Sequence, residues 1–403
     1  MSLQQTCSGK TNGYVQSFHS ACWEGVRYLA YGTGGNLVIY NGCLEHIQTT
    51  EISKLLRDTK QEPELEVDIV SVEISEFDGK IALTVGTDAL VLYPQQANKD
   101  VHWNLMKILN HDYPAFCTSW SDDQLLVGGE TLTIWEQAIS HNQETPVKWS
   151  KLWEQRVSSK TVLAQFSPDS TLFASMSDND RLVKIWWDPH NSEMKNREYE
   201  FNYLPHPRAV TNFAWRKGSS EQKNAAGSNI LITMCKDGIC RIWASTNPDE
   251  PQYFYISTVV DPSQSLVTLQ SLEEETYNED PNIFTSIHWI DSKEFLNALR
   301  SSIETFDGNI DDSICGNGLR KLRNLANDTP DLLYQVQRDG SMVIWGIRGV
   351  TFSIRNIDQK HPKLTLFLRG DKGHSIGHDN YVSLDISVDF QVTSLKYTGV
   401  YLM

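Results

Sequence analysis

The chain has 403 residues, of which 40% are apolar and 21% are charged, a composition typical of a soluble globular protein with room for a large core. Its formal net charge of −16 argues against nucleic-acid binding, which relies on Lys and Arg to neutralise phosphates, and favours a basic protein partner. Seven cysteines, an odd number with no CxxC pair, indicate reduced thiols in the cytosol.

The amino-terminal sequence MSLQQTCSGKTNGY has neither the charged segment nor the apolar segment of a secretory signal. No run in the chain approaches the roughly eighteen consecutive apolar residues that a membrane-spanning helix needs. We therefore expect a cytoplasmic chain that is neither secreted nor inserted into a membrane.

Short β-branched segments that end in an aromatic residue recur along the chain. They are NLVIY, ALVLY, TLTIW, LVKIW, ICRIW and SMVIW, and they close at Tyr40, Tyr93, Trp135, Trp186, Trp243 and Trp345. The first strands of the same units end at Trp23, Ile74, Trp120, Phe166, Trp215 and Trp289. This period predicts repeated units of strand, turn, strand, turn and strand.

A glycine-rich segment, Gly32-Thr33-Gly34-Gly35, lies in the first unit and is similar to a phosphate-binding loop. It joins two predicted strands, however, and no helix begins after it. Turn geometry with positive φ explains its glycines better than phosphate binding does.

The fifth unit is the clearest in the chain. Alternating apolar residues predict strands over Val210–Trp215 and Ile230–Cys235, and a tight turn at Lys236-Asp237-Gly238 leads into Ile239–Trp243. With His206 before the first strand, this unit resembles one blade of a WD-repeat propeller.

In WD-repeat blades, a buried hydrogen-bond chain links four side chains, and the matching residues here are His206, Thr233, Asp237 and Trp243. The resemblance implies a structural role for this chain, because a buried polar network is tolerated only when its groups are satisfied. A hydrogen-bonded core histidine therefore explains His206 better than a metal ligand or a catalytic base does.

The third unit departs from this pattern. His111 precedes Trp120 by the nine residues that separate His206 from Trp215, but Gly129 stands where the turn aspartate should be. We expect an incomplete hydrogen-bond chain in this unit and therefore tolerance of a substitution at Gly129. The first two units are likewise degenerate.

The sixth unit is interrupted between Trp289 and Trp345. Apolar residues at helical spacing in Lys293–Glu304 predict a helical insertion over 293–330, and we expect it to contact a partner. An acidic loop within it resembles a calcium loop, but Asp312 and Gly318 stand where such a loop needs Gly and Glu. A solvated loop explains it better.

Strand-like runs continue to the end of the chain and predict a closing blade over 357–403, paired with an amino-terminal strand near Tyr14–Phe18. The predicted fold is thus all-β, a single WD-repeat β-propeller over 1–403 with seven blades. The predicted blades cover about 14–58, 67–109, 114–155, 160–204, 205–258 and 282–356, followed by 357–403.

Catalytic motifs are weak in this sequence. The segment from Gly373 to Gly377 matches G-x-S-x-G, but a strand-like stretch follows it and no histidine occurs after His378 to complete a triad. A Gly/Ser turn explains it better. The chain has no Walker lysine, no HExxH and no zinc-type spacing of His and Cys. We expect no catalytic residue, no metal and no cofactor, and thus no enzyme.

Five segments carry a more specific resemblance: YLAYGTGGNLVIY, LFASMSDNDRLVKIWW, LPHPRAVTNFAWRK, ILITMCKDGICRIW and IHWIDS. Together, over roughly residues 17–347, they resemble the amino-terminal propeller of the rabconnectin-3 (DmX-like) proteins and of their fungal counterpart, the large subunit of the RAVE complex. Members of that family are longer, with a second propeller and a helical region downstream.

This resemblance implies a non-enzymatic scaffold that promotes assembly of the vacuolar-type proton ATPase by joining its peripheral sector to its membrane sector. The implied partners are ATPase and co-scaffold subunits. Through them, a cytoplasmic chain would associate with vacuolar or endosomal membranes.

The fold alone indicates only an interaction platform. An adaptor in ubiquitin ligation or vesicle coating is the alternative, and an enzyme would need a polar cluster in the central channel. The acidic run Leu272–Asp280 offers candidate partner-binding residues, Glu273, Glu274 and Glu275, that could steer a basic surface; a solvated surface is the competing explanation.

Overall fold

The computed structural model divides the chain into two compact units, Met1–Phe201 with Met403, and Asn202–Leu402. It describes residues 9–42, 45–60, 68–97, 100–138, 148–189, 198–216, 229–236, 238–245, 253–260, 284–291, 331–337, 342–347, 350–355, 363–368 and 393–395.

Four-stranded antiparallel sheets in chain order make up the first unit. The first sheet contains β1 (Phe18–Trp23), β2 (Val26–Thr33), β3 (Asn36–Asn41) and β4 (His46–Glu51), and helix α1 (Ile52–Lys60) follows it. The second contains β5 (Ser71–Ile74), β6 (Ile81–Val85), β7 (Asp88–Ala97) and β8 (Asp100–Asn110). The third contains β9 (Ala115–Ser121), β10 (Gln124–Gly129), β11 (Thr131–Gln137) and β12 (Trp149–Arg156). The fourth contains β13 (Thr161–Phe166), β14 (Leu172–Ser177), β15 (Leu182–Trp187) and β16 (Glu200–Pro205), and the unit boundary lies within β16.

Strands of the second unit continue the same pattern. The fifth sheet contains β17 (Val210–Trp215), β18 (Ile230–Cys235), β19 (Cys240–Ser245) and β20 (Tyr253–Val260). After β21 (Phe284–Asp291), β22 (Asp331–Gln337) and β23 (Met342–Ile347) come β24 (Val350–Arg355), β25 (Lys363–Leu368) and β26 (Thr393–Leu395). In the sixth sheet β21, β22 and β23 are joined by β26, while β24 pairs only with β25.

Repeated four-stranded antiparallel sheets of this kind are WD-type blades, so the predicted all-β fold class is confirmed. The seven-blade count and the blade boundaries stay predictions, although β26 shows that the segment predicted as a closing blade supplies a strand to the sixth sheet. The predicted insertion at 293–330 lies outside the described residues.

The core of the first unit lies in the central strands, where every residue of β6 and β14 is buried. One cluster joins the first two sheets around Leu37, Ile39, Leu83 and Trp103. Burying one such aliphatic side chain contributes about 1.5–3 kcal/mol, so these clusters are the main stabilising element of each sheet pair.

Helix α1 was not predicted from the sequence. Ile52, Leu55 and Leu56 have helical spacing and pack on the core cluster between the first two sheets, with Ile52 fully buried. The helical spacing of these apolar residues is the sequence feature that indicates α1, whereas the surrounding repeats indicate only strands.

Strand register corrects two details of the predicted repeat. In the fifth sheet, Trp243 pairs with Leu231 on the neighbouring strand. The residue at the matching position of the second sheet is Leu92, which pairs with Ile81. A β-bulge precedes this position in four sheets. The assignment of Tyr93 as the repeat aromatic is therefore wrong by one residue.

The first strand also differs from its prediction. β1 ends at Trp23 as predicted. The β1 residue that matches Trp215 of β17 is Ser20, however, because the hairpin of β1 and β2 extends three residues beyond that position. The predicted strand near Tyr14–Phe18 is wrong: its first four residues form a turn, in which Ser17 N donates to Tyr14 O at 3.3 Å.

The glycine-rich segment of the first sheet is a turn between β2 and β3, as predicted. Gly34 has φ 55°, a left-handed conformation that glycine adopts without steric cost. The backbone of this turn is held by Asn12, whose side chain bonds both Gly34 N (2.7 Å) and Gly34 O (2.9 Å). Its amide groups are therefore engaged within the fold.

Candidate functional site

A buried hydrogen-bond cluster lies at the centre of the fifth sheet. Trp243 Nε1 donates to Thr233 Oγ1 at 2.9 Å, and His206 Nε2 lies 2.8 Å from the same oxygen. Thr233 is fully buried, and the rings of His206 and Trp243 are 5.0 Å apart. The structure thus brings three of the four predicted residues together.

The strand geometry explains this contact. Trp243 pairs with Leu231, and Thr233 lies two residues further along β18, so both side chains project from the same face of the sheet. His206 reaches that face from the segment just before β17.

The chemistry of the three groups sets the direction of each hydrogen bond. The Trp243 indole can only donate, so the Thr233 oxygen accepts from it and the Thr233 hydroxyl can donate to His206 Nε2. This direction corresponds to the His206 tautomer that carries its proton on Nδ1. Asp237, the predicted acceptor for that proton, lies outside the described residues, and its role stays a prediction.

Replacing Thr233 with Val should cost about 1–2 kcal/mol of unfolding free energy. The isosteric change leaves the Trp243 indole and His206 Nε2 without their shared partner while preserving volume. Urea unfolding of both proteins measures the cost, and Thr131→Val, at a half-buried strand position, is the control. Equal losses in the two variants would contradict the role of the Thr233 hydroxyl.

The equivalent position in other sheets shows how far the cluster is repeated. In the fourth sheet Trp186 Nε1 donates to Ser175 Oγ at 2.8 Å. In the third sheet the register places Val127, which cannot form a hydrogen bond, at the position of Thr233. The missing aspartate of this unit is evident in its turn sequence, and Val127 is recognisable only when the second strands of the third and fifth units are aligned.

The third sheet consequently contains buried polar groups without partners. His111 and Trp135 are in contact, with rings 5.7 Å apart. Among the described residues, no hydrogen-bond partner reaches His111 Nε2, Thr133 Oγ1 or Trp135 Nε1, and all three atoms are buried. Each such atom costs on the order of 1–3 kcal/mol.

Changing Val127 to Thr should therefore stabilise the protein or leave its stability unchanged within about 0.5 kcal/mol. A core Val-to-Thr change normally costs about 1–3 kcal/mol, but here the hydroxyl enters the register position from which Thr233 bonds two ring nitrogens in the fifth sheet, and the corresponding nitrogens of the third sheet are unsatisfied. Thermal and urea unfolding measure the effect. The matched control is Val91→Thr, in the same apolar cluster, which should show the normal loss.

The expected tolerance at Gly129 is wrong. A Cβ atom on Gly129 would lie 2.2 Å from Pro114 O and 3.3 Å from Ala115 Cα. A register shift at Gly128/Gly129 brings this strand end against the backbone of Pro114 and Ala115. The prediction rested on the incomplete hydrogen-bond chain, and the close approach of the Pro114 backbone has no signal in the sequence.

An open cleft of about 530 Å³ is lined by Glu130, Arg156, Val157, Ser158 and Lys160. Its cations lie over aromatic rings, Arg156 at 5.1 Å from Tyr113 and Lys160 at 4.4 Å from Phe116. Within the described ranges, no three His, Cys, Asp or Glu side chains are grouped to hold a metal ion.

Several sequence-predicted positions lie outside the described residues. They are Glu273, Glu274, Glu275, the calcium-like loop within 293–330, and the G-x-S-x-G segment at 373–377. Of the helices that the structure describes, none is long and apolar enough to cross a membrane.

Comparison with known proteins gives matches over about three fifths of the chain. It is 29% identical to DmX-like protein 1 of Mus musculus over 277 residues, 61% of this chain and 9% of that protein. It is 26% identical to Regulator of V-ATPase in vacuolar membrane protein 1 of Saccharomyces cerevisiae over 242 residues, 59% of this chain and 16% of that protein. The protein of the same name from Schizosaccharomyces pombe is 23% identical over 246 residues, 60% of this chain and 17% of that protein.

No protein-family model matches the chain. The matched region covers less than a fifth of the length of each of these relatives. The resemblance predicted from the sequence is nevertheless confirmed: the chain is related to the DmX-like proteins of the rabconnectin-3 family and to the fungal regulators of the V-ATPase.

Proposed function

We propose that the chain is a non-catalytic protein-interaction scaffold that promotes assembly of the vacuolar-type proton ATPase, joining its peripheral sector to its membrane sector. The observation that carries this proposal is the similarity to two fungal proteins named as regulators of the V-ATPase in the vacuolar membrane. The repeated four-stranded sheets support it, because such blades present many loops from a rigid framework.

The proposed partners are subunits of the ATPase and of a co-scaffold. Binding to them would place a cytoplasmic chain at vacuolar or endosomal membranes without insertion. Within the chain, the proposed contact regions are the insertion at 293–330 and the acidic residues Glu273, Glu274 and Glu275, which precede it.

Affinity purification of the tagged chain from cells tests this function. We expect subunits of both ATPase sectors to co-purify, and we expect depletion of the protein to lower the fraction of the peripheral sector found on membranes. Recovery of cullin or coat subunits in place of ATPase subunits would overturn the proposal and favour an adaptor. Acidification of the organelle lumen is an independent readout.

Changing Glu273, Glu274 and Glu275 to Gln should slow association with the recovered partner, with a smaller effect on dissociation. Steering by these charges should fade as the Debye length falls from roughly 30 Å at 0.01 M salt to 10 Å at 0.1 M. Stopped-flow or biosensor kinetics across this range measure it. The matched control changes Glu62, Glu64 and Glu66 to Gln, which removes the same charge from another acidic run. An association rate that responds equally to both triple changes would leave only a solubility role for 273–275.

A further inference from the structure

A ladder of side-chain hydrogen bonds aligns the inner strands of the first unit. His19 Nδ1 accepts from Ile74 N (3.1 Å), Glu73 Oε1 from Trp120 N (3.2 Å) and Ser119 Oγ from Phe166 N (3.0 Å). Each bond joins the first strand of one sheet to the end of the first strand of the next. The turns that follow these strands are therefore brought to one edge of the first unit.

Apolar side chains are exposed at this edge. The side chain of Phe77, in the turn between β5 and β6, is 72% exposed, and Val26, the first residue of β2, is 43% exposed. Trp23 lies between them, because it pairs with Val26 and its ring lies against Gly79, where a Cβ would be only 2.5 Å away. We call Trp23, Val26 and Phe77 the Phe77 patch.

The turn that carries Phe77 is held on both sides. Trp103 Nε1 donates to Gly79 O at 2.7 Å, and Lys80 Nζ donates to Gln137 Oε1, in the third sheet, at 2.6 Å. Phe77 is thus an exposed aromatic side chain on a fixed backbone. Such a side chain binds a partner with little loss of conformational entropy, and neighbouring exposed apolar side chains with a polar rim mark an interaction site where a single exposed one does not.

Acidic side chains lie near the patch. Glu24 follows Trp23 in the chain. Asp122 and Asp123 form the turn after β9, where Asp123 O accepts from Gln137 N, the residue that also contacts Lys80. The one lysine at this turn, Lys80, is paired with Asp78. This rim complements a basic partner and disfavours anionic lipid or nucleic acid.

Two of these acidic residues occupy a backbone conformation that their side chains do not favour. Glu24 has φ 50° and Asp122 has φ 39°, in the left-handed region where Gly and Asn are preferred. An asparagine at position 24 would relieve this local strain and remove the charge of Glu24. Because this variant should be more stable than the parent, weaker binding by it would not be caused by unfolding.

We propose that the Phe77 patch binds a peptide segment of a protein partner in which a large apolar side chain is flanked by lysine or arginine residues. The apolar side chain packs on Phe77, Val26 and the edge of Trp23, and the flanking cations pair with Glu24 and Asp122. This binding surface does not depend on whether the partner is an ATPase subunit.

The test uses the purified full chain and fluorescent synthetic 12-residue peptides with a central Phe-Leu pair between lysines. We expect saturable binding by fluorescence anisotropy at 0.05 M salt, weakened about tenfold or more by Phe77→Ser, as for a central anchor residue. Glu24→Asn should weaken binding about threefold to tenfold while raising the urea midpoint. Val15→Ser, at another apolar position that is 53% exposed, is the matched control and should bind as the parent does.

Four outcomes would overturn the proposal. The first is absence of saturable binding of the lysine-flanked peptides. The second is equal binding of a peptide whose Phe-Leu pair is replaced by Gly-Gly, which would show charge attraction alone. The third is an equal effect of Phe77→Ser and Val15→Ser. Binding to vesicles of phosphatidylserine and phosphatidylcholine that depends on Phe77, without peptide binding, would assign the patch to a membrane surface and would also overturn it.

Discussion

Lowering the pH from about 6.5 to about 4 should remove about 3 kcal/mol of unfolding free energy through one side chain, His111. Burial, together with the nearby charge of Lys151, lowers the pKa of His111 to about 4, against the opposing charges of Glu154, Asp88 and Asp112. Each unit of difference between the folded and unfolded pKa values corresponds to about 1.4 kcal/mol.

The sign follows from proton binding. The unfolded chain protonates this histidine near pH 6.5, whereas the folded chain excludes the proton until about pH 4. The contribution of neutral His111 is therefore fully present above pH 6.5 and is lost as the pH falls through this window.

Urea unfolding of the wild type and of His111→Gln between pH 4 and pH 7 isolates the effect, because every other titrating group is common to both proteins. As the pH falls, the unfolding free energy of the wild type should decrease by about 3 kcal/mol relative to that of His111→Gln. His102→Gln, at an exposed histidine, is the control and should leave the profile of the wild type unchanged. A His111→Gln profile parallel to that of the wild type would contradict the buried neutral state.

The repeat architecture could be predicted from the sequence because each unit carries the same local signals. Trp243, Trp186 and Trp135 each close a β-branched segment, and the structure places each of them in the third strand of a sheet. Such a pattern can be recognised within one segment, without knowing which strand pairs with it. The fold class therefore followed from residues close together in the chain.

Register could not be predicted in the same way. The segments NLVIY and ALVLY have similar sequences. In the second sheet, however, Leu92 and not Tyr93 occupies the position that Tyr40 occupies in the first sheet. Which residue faces its neighbour is set by pairing across the hairpin, and a shift of one residue moves a side chain to the other face of the sheet.

Contacts between sheets could not be predicted from the sequence either. Glu73 accepts from Trp120 N, 47 residues later in the chain, and neither residue has a local signal for that bond. The exposed Phe77 also lies in a turn whose sequence gives no reason to expect an aromatic tip. Such features depend on how whole sheets pack, so the candidate binding surface required the structure.

Replacing Gly129 with Ala should destabilise the protein by about 3 kcal/mol or more, the largest effect that we expect from a single methyl group. Its Cβ would lie 2.2 Å from Pro114 O, a backbone atom that cannot move aside without shifting the bulge at the end of β10. Urea unfolding measures the loss. Gly13→Ala is the matched control, since no atom lies within 4 Å of its Cβ position, and it should be nearly neutral. Similar midpoints for the two variants would show that the bulge can relax.

The same clash determines how the third sheet could be repaired. An aspartate at position 129, which the repeat pattern suggests, needs the Cβ that Pro114 O excludes. Gly129→Asp should therefore destabilise the protein at least as much as Gly129→Ala, and adding Val127→Thr should change the stability only by the amount that Val127→Thr produces alone. A double-mutant cycle of the two changes tests this separation, because a turn aspartate that completed the chain would instead produce a favourable coupling between positions 127 and 129.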